Sequence, residues 1–379
     1  MKTKLLALSI GIVAASFLSG LGNENSAGQS PQWKGKIETV DGIKIVHNAM
    51  EPLYGEIKLD LEEDLKIGRA DDDNFLFYRV RGIDVDKDGN IYVADMSNYR
   101  IQKFDKSGKY ALTFGRQGQG PGEFDLPTNV RIEEKMGNVL VKDQAYTIEF
   151  FSPEGKPLKS IRLEHGYYDF RVTPEGTILA VMGTESELQM TQSLCKIDAQ
   201  ARAELTYAQF PYNLYMQKMG ESVLSISTGH ELALHFNLLD PQSVVYGHSK
   251  EYELMVSDLG GKVLYRIKKD EPYPKFTDTE KKNFRKIPLP EFKPYFYALF
   301  VDDLGRIYVQ RNQADFHVKE DVQKEVDVFS KDGYFLYRTR LPKETFVIRN
   351  GCLYALEVKD DEVVKRYKIK NWDSLKSGL

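Results

Sequence analysis

The side chains that most often carry enzymatic chemistry do not converge into a working set in this 379-residue sequence. His230, His235 and His248 cluster, and His230-Glu231-Leu232-Ala233-Leu234-His235 superficially matches a zinc-protease helix. Such a helix needs its histidines at i and i+4 on one face. Five residues apart, they diverge on a helix and point opposite ways on a strand. Asp71-Asp72-Asp73-Asn74 sets three carboxylates in a connecting loop, offering the oxygen ligands that calcium takes. It lacks the Asp-x-Asp-x-Asp-Gly spacing of a calcium loop, so a solvated turn is expected. Cys195 and Cys352 have no adjacent imidazole and no Gly-x-Ser-x-Gly elbow occurs, so no nucleophile set can be placed. Gly118 to Gly122 is glycine-rich but leads into a strand, without the helix N-terminus that makes a phosphate loop. No metal or other cofactor is expected from these residues.

The elements that would position any site are strands. A short apolar strand, a tight turn and a second apolar strand recur along the chain. The clearest copy is Ile83-Asp84-Val85-Asp86-Lys87-Asp88-Gly89-Asn90-Ile91-Tyr92-Val93. Further copies run from Val130 to Val141, Phe170 to Ala180, Tyr215 to Ser225, Leu299 to Val309 and Phe346 to Leu356. Gly or Asn in each turn supplies the positive φ of a tight hairpin. A second hairpin follows most copies, around Gly108, Gly155 and Gly333, and more loosely from Val256 to Val263. Each unit therefore holds four strands. The register is tight between the first two units: Ile83 and Val130, Ile101 and Ile148, Phe104 and Phe151 are each 47 residues apart. Six such units predict an all-β fold, a six-bladed β-propeller of four-stranded antiparallel blades. Residues 57–67 look like an outermost strand without partners, and residues 345–369 like a blade lacking one. The ring is therefore expected to close by the first completing the second. The turn glycines at 176, 220 and 305 leave an 85-residue gap. One blade with two insertions, at 228–250 and 270–294, is preferred there over a seventh blade.

Residues 80–115 resemble an NHL repeat: Val80-Arg81-Gly82-Ile83-Asp84-Val85, Gly89-Asn90-Ile91-Tyr92-Val93-Ala94-Asp95, and Asn98-Tyr99-Arg100-Ile101-Gln102-Lys103-Phe104. Gly115-Arg116-Gln117-Gly118-Gln119-Gly120-Pro121-Gly122-Glu123-Phe124 is similar to the connector between NHL blades. The whole chain resembles bacterial exported six-bladed propellers, a family named for its shape, so the resemblance implies a fold and no activity. In NHL-like repeats, residues in the places of Asp95, Asn98 and Arg100 tie a loop, which implies a structural role here. Asp143 holds the same place in the next unit. Peptide-amidation lyases that depend on copper and zinc share the connector, but there a metal-binding histidine usually follows the proline. Here Thr128-Asn129 follow Pro127, and that zinc site has no obvious ligands.

The N-terminus reads as an export signal: Lys2 and Lys4, an uncharged run from Leu5 to Leu18, then small and polar residues. Cleavage near Gly22 would remove two lysines and no acid, taking the net charge from −4 to −6. An acidic surface of this kind argues against nucleic acid as a partner. The organisation expected is a signal at 1–22, an N-terminal extension at 23–55, the propeller at 56–370 and a tail at 371–379. The chain would be exported to the periplasm or beyond, monomeric, with no membrane span after cleavage. Two cysteines are too few for a disulfide scaffold and fall in distant repeats.

The departure from bare propeller that carries most information is residues 270–294. Asp270-Glu271-Pro272-Tyr273-Pro274 is stiff and aromatic, and Thr277-Asp278-Thr279-Glu280 is a capping box opening a helix near 278–285. Insertions in repeat folds often mark the binding face. The function expected first is non-enzymatic: binding of a protein, peptide or glycan on the connector-loop face by Arg69, Arg79, Arg81, Arg116, Gln119, Glu123, Asn129, Tyr273 and Arg311. Arginines there would grip a carboxylate. The alternative is a metal-assisted hydrolase or lyase resembling the lactonase-type six-bladed propellers, with calcium at the channel mouth.

Overall fold

A computed structural model describes residues 31–379, apart from 187–188, 220–221, 284–288, 314–322, 343 and 359–360. The segment read as an export signal lies outside the described residues. No helix among the described residues is long and apolar enough to cross a membrane.

Three strands precede the first complete blade: β1 (Lys36–Val40), β2 (Ile43–Asn48) and β3 (Leu61–Ile67). Blade one comprises β4 (Val80–Val85), β5 (Ile91–Asp95), β6 (Arg100–Phe104) and β7 (Tyr110–Phe114). Blade two comprises β8 (Pro127–Ile132), β9 (Val139–Asp143), β10 (Thr147–Phe151) and β11 (Pro157–Arg162). Blade three has longer strands, β12 (Tyr167–Val172), β13 (Ile178–Ser186), β14 (Gln189–Ile197) and β15 (Ala203–Tyr212). A separate two-stranded hairpin follows, β16 (Tyr215–Met219) and β17 (Ser222–Ile226). Blade four is β18 (Leu234–Asp240), β19 (Ser243–His248), β20 (Glu253–Asp258) and β21 (Val263–Lys269). A connector carrying α1 (Asp278–Asn283) leads to blade five, β22 (Phe296–Val301), β23 (Ile307–Arg311), β24 (Lys324–Phe329) and β25 (Phe335–Leu341). Blade six is β26 (Thr345–Arg349), β27 (Cys352–Val358) and β28 (Glu362–Ile369).

The fourth strand of blade six is β3, paired antiparallel to β28 from Ile67 opposite Val364 to Leu61 opposite Ile369. The chain is thus an all-β, six-bladed propeller whose ring is closed by an N-terminal strand. Pairing with β3 covers the edge of β28, which would otherwise be open to other chains.

Hairpin chemistry follows the repeat. Asp86 accepts hydrogen bonds from the Asp88 and Asn90 N–H groups at 3.0 and 2.9 Å, shaping the turn before Gly89. Gly108 has φ of 80°, and a Cβ there would lie 2.6 Å from Leu65 on β3, so backbone conformation and close packing both require glycine. Six apolar clusters fill the spaces between neighbouring blades. Between blades six and one, for example, Ile67, Ile83, Val93 and Phe104 are buried together with Tyr354 and Val364. Burying side chains of this kind stabilises by about 1.5–3 kcal/mol each.

Two expectations are corrected. Tyr215 to Ser225 forms a hairpin but not a blade: β16 and β17 pair only with each other. The inner hairpin of blade four is β18–β19, inside the 228–250 segment expected to be an insertion. Its turn, Asp240-Pro241-Gln242-Ser243, has no glycine, so a pattern keyed to Gly or Asn passed over it. The insertion instead precedes the blade. The extension at 23–55 also does more than lead in. β1 and β2 extend blade four outward, with β2 parallel to β21. Both cysteines are free thiols.

Candidate functional site

The six inner strands, β4, β8, β12, β18, β22 and β26, present their free edges to the central channel. An unpaired strand edge exposes N–H and C=O groups that need partners. Side chains of the same strands supply them. Asp84, Asn129, Asp169 and Asn237 each accept a hydrogen bond from the N–H of the next residue, at 2.8–2.9 Å. Arg131 and Arg171 each donate through Nη1 to the carbonyl of the preceding residue at 2.8 Å. The type of residue therefore matches the edge group: short carboxylates and amides take N–H, arginines cover C=O.

The same side chains join blade to blade. Asp84 of blade one accepts from Ile132 N–H of blade two at 2.9 Å. Asn129 of blade two donates to Asp169 of blade three at 2.9 Å. Arg171 of blade three donates to Asn237 of blade four at 3.1 Å, and Asn237 donates to the Leu299 carbonyl of blade five at 3.3 Å. Arg349 of blade six donates to the Val85 carbonyl of blade one and pairs with Glu134. A polar belt thus crosses five blade boundaries.

Asp84, Arg131, Glu134, Asp169, Arg171, Asn237 and Arg349 line a cavity of about 850 Å³ along the channel. Tyr168, Tyr212 and Tyr297 stand at its connector-loop end, and Glu134, Asp240 and Asp303 near the opposite hairpin turns. Burial pushes the Asp84 carboxyl above its ordinary value, against the pull of Arg131 and Arg349. Burial works the same way on Asp169, but Arg171 and Arg131 outweigh it and hold that carboxyl low. Arg131 falls to about 10 through burial and the neighbouring charge of Arg171. His235 falls to about 4, chiefly through burial and then through His248, so its ring is neutral at pH 7.

Of the residues singled out from sequence, Arg116 and Glu123 meet, Nε to Oε1 at 2.9 Å, and Glu123 also accepts from Gly120 N–H. Arg69 pairs with Asp71 and Asp72 and lies 3.8 Å from the centre of the Phe75 ring. Arg311 pairs with Glu271, Glu325 and Asp327, which also binds Lys269 and Arg338. Tyr273 is 57% exposed and stacks on Phe292 with centroids 4.6 Å apart. Arg79 and Gln119 are exposed on connectors, and Arg81 is exposed in β4, the inner strand of blade one. Asn129 alone of the nine belongs to the belt. The channel residues Asp84, Arg131, Asp169, Arg171, Asn237 and Arg349 were missed as a group. Their signal was present: each is polar beside an apolar neighbour in an inner strand.

The other motifs resolve structurally. Asp95 is fully buried; it accepts from Tyr78 N–H, Asn98 Nδ2 and Arg100 Nε at 2.8–2.9 Å. Asp143 likewise takes the N–H groups of Asp125 and Leu126. Asp72 accepts from Asn74 N–H in an exposed turn. His230 Nδ1 lies 2.9 Å from the Tyr297 hydroxyl, while His248 stacks on Phe210 at 4.5 Å. Among the described residues, no group of three His, Cys, Asp or Glu side chains is placed to hold a metal ion.

The fold and channel together define a six-bladed β-propeller with a polar, internally braced axis. A family model described as "6-bladed beta-propeller" matches residues 56–236. The Drosophila melanogaster protein brain tumor is 30% identical over 82 residues, which is 21% of this chain and 8% of that protein. The peptidylglycine alpha-amidating monooxygenase of Rattus norvegicus is 36% identical over 88 residues, 21% of this chain and 9% of that protein. The chain thus spans less than a tenth of the length of these curated relatives. A Bacteroides fragilis protein described as exported has a similar fold, with a TM-score of 0.52 at 12% identity over 86% of this chain and 99% of that one.

Proposed function

We propose that this chain is an exported binding module that holds a glycan, peptide or protein segment at its connector-loop face, above the channel. The observation that carries this reading is where the added chain lies. The nine-residue strands β13 and β14, the β16–β17 hairpin and the α1 connector all extend blades three to five at that end. At the same end, Tyr168, Tyr212 and Tyr297 line the cavity. Rigid concave sites with aromatic walls and a few fixed polar groups suit ligand binding. In the α1 connector, Glu280 caps Thr277 N–H at 2.7 Å and pairs with Lys293 at 3.0 Å, both side chains being buried. Exposed Arg79, Arg81 and Gln119 extend the face around blades one and two. The signal-like residues 1–22 and the exported protein of similar fold support the location.

Arrays of glycans and peptides probed with purified protein test the proposal. Tyr168→Ala and Tyr273→Ala, at exposed rings, should weaken the captured ligand while leaving the melting temperature within about 2 °C, as surface changes do. Ligand capture unaffected by both variants would count against this face.

A further inference from the structure

One edge on the outer rim of the ring is built differently from the rest. An outermost strand exposes unpaired N–H and C=O groups, and bulges, prolines and charges commonly guard it. β7, β11, β15, β25 and β3 each meet the neighbouring strand of their blade through a register shift. β11 also opens on Pro157 and carries Lys159 and Arg162, while β25 is covered by backbone bonds from Leu53, Tyr54 and Ile57. In blade four, β2 covers β21, and β1 covers β2 in an unbroken register from Lys36 opposite His47 to Val40 opposite Ile43. β1 is therefore the outermost strand, two strand spacings, roughly 10 Å, beyond β21. It contains no proline or glycine, and Ile37, Thr39 and Val40 are β-branched. Ile37 is 49% exposed and Val40 44%. Trp33, just before the strand, packs on Tyr334 of blade five and bonds to Asn48. Among the described residues, no strand pairs with the outer edge of β1.

We infer that this edge is a self-association surface, on which two copies of the chain pair β1 with β1, antiparallel, about a twofold axis through Ile37. The charges select this arrangement. Lys36 and Glu38 lie on one face of the strand, Nζ to Oε2 3.4 Å apart, with side chains 69% and 37% exposed. Glu38 also meets His47 of β2. An axis through Ile37 sets Lys36 of each copy opposite Glu38 of the other, and sets Ile37 against its own copy on the other face. Moved to Lys36 or Glu38, the axis would set two like charges directly opposite, which destabilises a strand pair. A twofold dimer requires a self-complementary patch of this kind. Residues 23–30 of the same chain are poor competitors for the edge, since Asn23-Glu24-Asn25-Ser26-Ala27-Gly28-Gln29-Ser30 holds no β-branched or aromatic residue. One short strand pair is a small interface, so the dimer is weak and reversible, and the monomer expected from sequence prevails in dilute solution. The inference does not rest on the binding role proposed above.

The test is sedimentation velocity of the chain as exported, over a range of about 5 µM to 0.5 mM. The mass should rise from monomer towards dimer across that range, with a dissociation constant between about 10 µM and 1 mM, as a small interface implies. Lys36→Glu and Glu38→Lys each set like charges opposite at two places in the pairing, and each should weaken the dimer about tenfold or more. Mixed in equal amounts, the two variants restore opposite charges across the strands and should form a heterodimer within about threefold of the wild-type affinity. The double variant, K36E with E38K, should dimerise as wild type does. Melting temperatures should stay within about 2 °C throughout, as surface changes allow. A monomer at every concentration overturns the inference, and is the result expected if another segment of the chain covers the edge. A dimer indifferent to both single variants, or a mixture that associates no better than its parts, overturns it too.

Discussion

At the scale of single residues, the channel charges are first of all edge caps. Asn237 shows this best. It covers its own strand, receives Arg171 and reaches the Leu299 carbonyl. Asn237→Ala removes all three links and strips Arg171 of one acceptor, so it should cost about 2 kcal/mol in urea denaturation. His235 gives a pH prediction. Its folded value of about 4 lies below the ordinary 6.5, so the unfolded chain binds the proton more readily. The stability it contributes is present above pH 6.5 and is lost as pH falls towards 4. Its full size would be about 3 kcal/mol, less to the degree that channel water reaches the ring. His235→Gln should flatten the stability curve between pH 6.5 and 4 relative to wild type. Identical curves would show that the ring is solvated.

At the scale of elements, the N-terminal stretch acts as an external strap. β1 and β2 widen blade four, Leu53, Tyr54 and Ile57 donate to backbone carbonyls of β25 in blade five, and β3 completes blade six. Asn48 is the pin: it is 1% exposed, donates to the Gly333 carbonyl at 2.9 Å and accepts from Phe335 N–H and Trp33 Nε1 at 2.8 and 3.0 Å. Asn48→Ala should cost about 2–3 kcal/mol, measured by chemical denaturation. A chain starting at residue 58 should fold with a lowered melting temperature. One starting at residue 68 lacks β3, bares the β28 edge and should aggregate on size-exclusion chromatography. The closing strand was legible because its 47-residue register with the next unit left it without partners of its own. The strap was not, since Lys36 to Asn48 has no repeat partner and parallel pairing across some 220 residues leaves no local trace. Blade four was misplaced for a related reason: its Asp-Pro-Gln-Ser turn imitates none of the others, whereas the extra β16–β17 hairpin has an ordinary Gly-Glu turn in sequence.

At the scale of the whole molecule, the ring has two unlike ends. Short hairpin turns close one, and the long additions of blades three to five crowd the other. The sequence revealed the blades because each repeats the same turn chemistry. It revealed one of those additions, the α1 connector, because the capping box and prolines break the pattern. The belt around the axis escaped because strand alternation assigns a side chain to a face and does not show that the free edge of an inner strand must be capped across the channel. Asn129 was predicted as a ligand contact on the connector-loop face, not as a member of this belt.

The central claim is that ligand binds at the connector-loop end, over the channel. Hydrogen exchange of the protein, with and without the strongest array ligand, tests it most directly. Protection should rise in residues 163–172, 228–239 and 295–301, where connectors and inner strands meet at the cavity mouth. Protection confined to the opposite hairpin turns, at 86–90, 133–138 and 302–306, would contradict it.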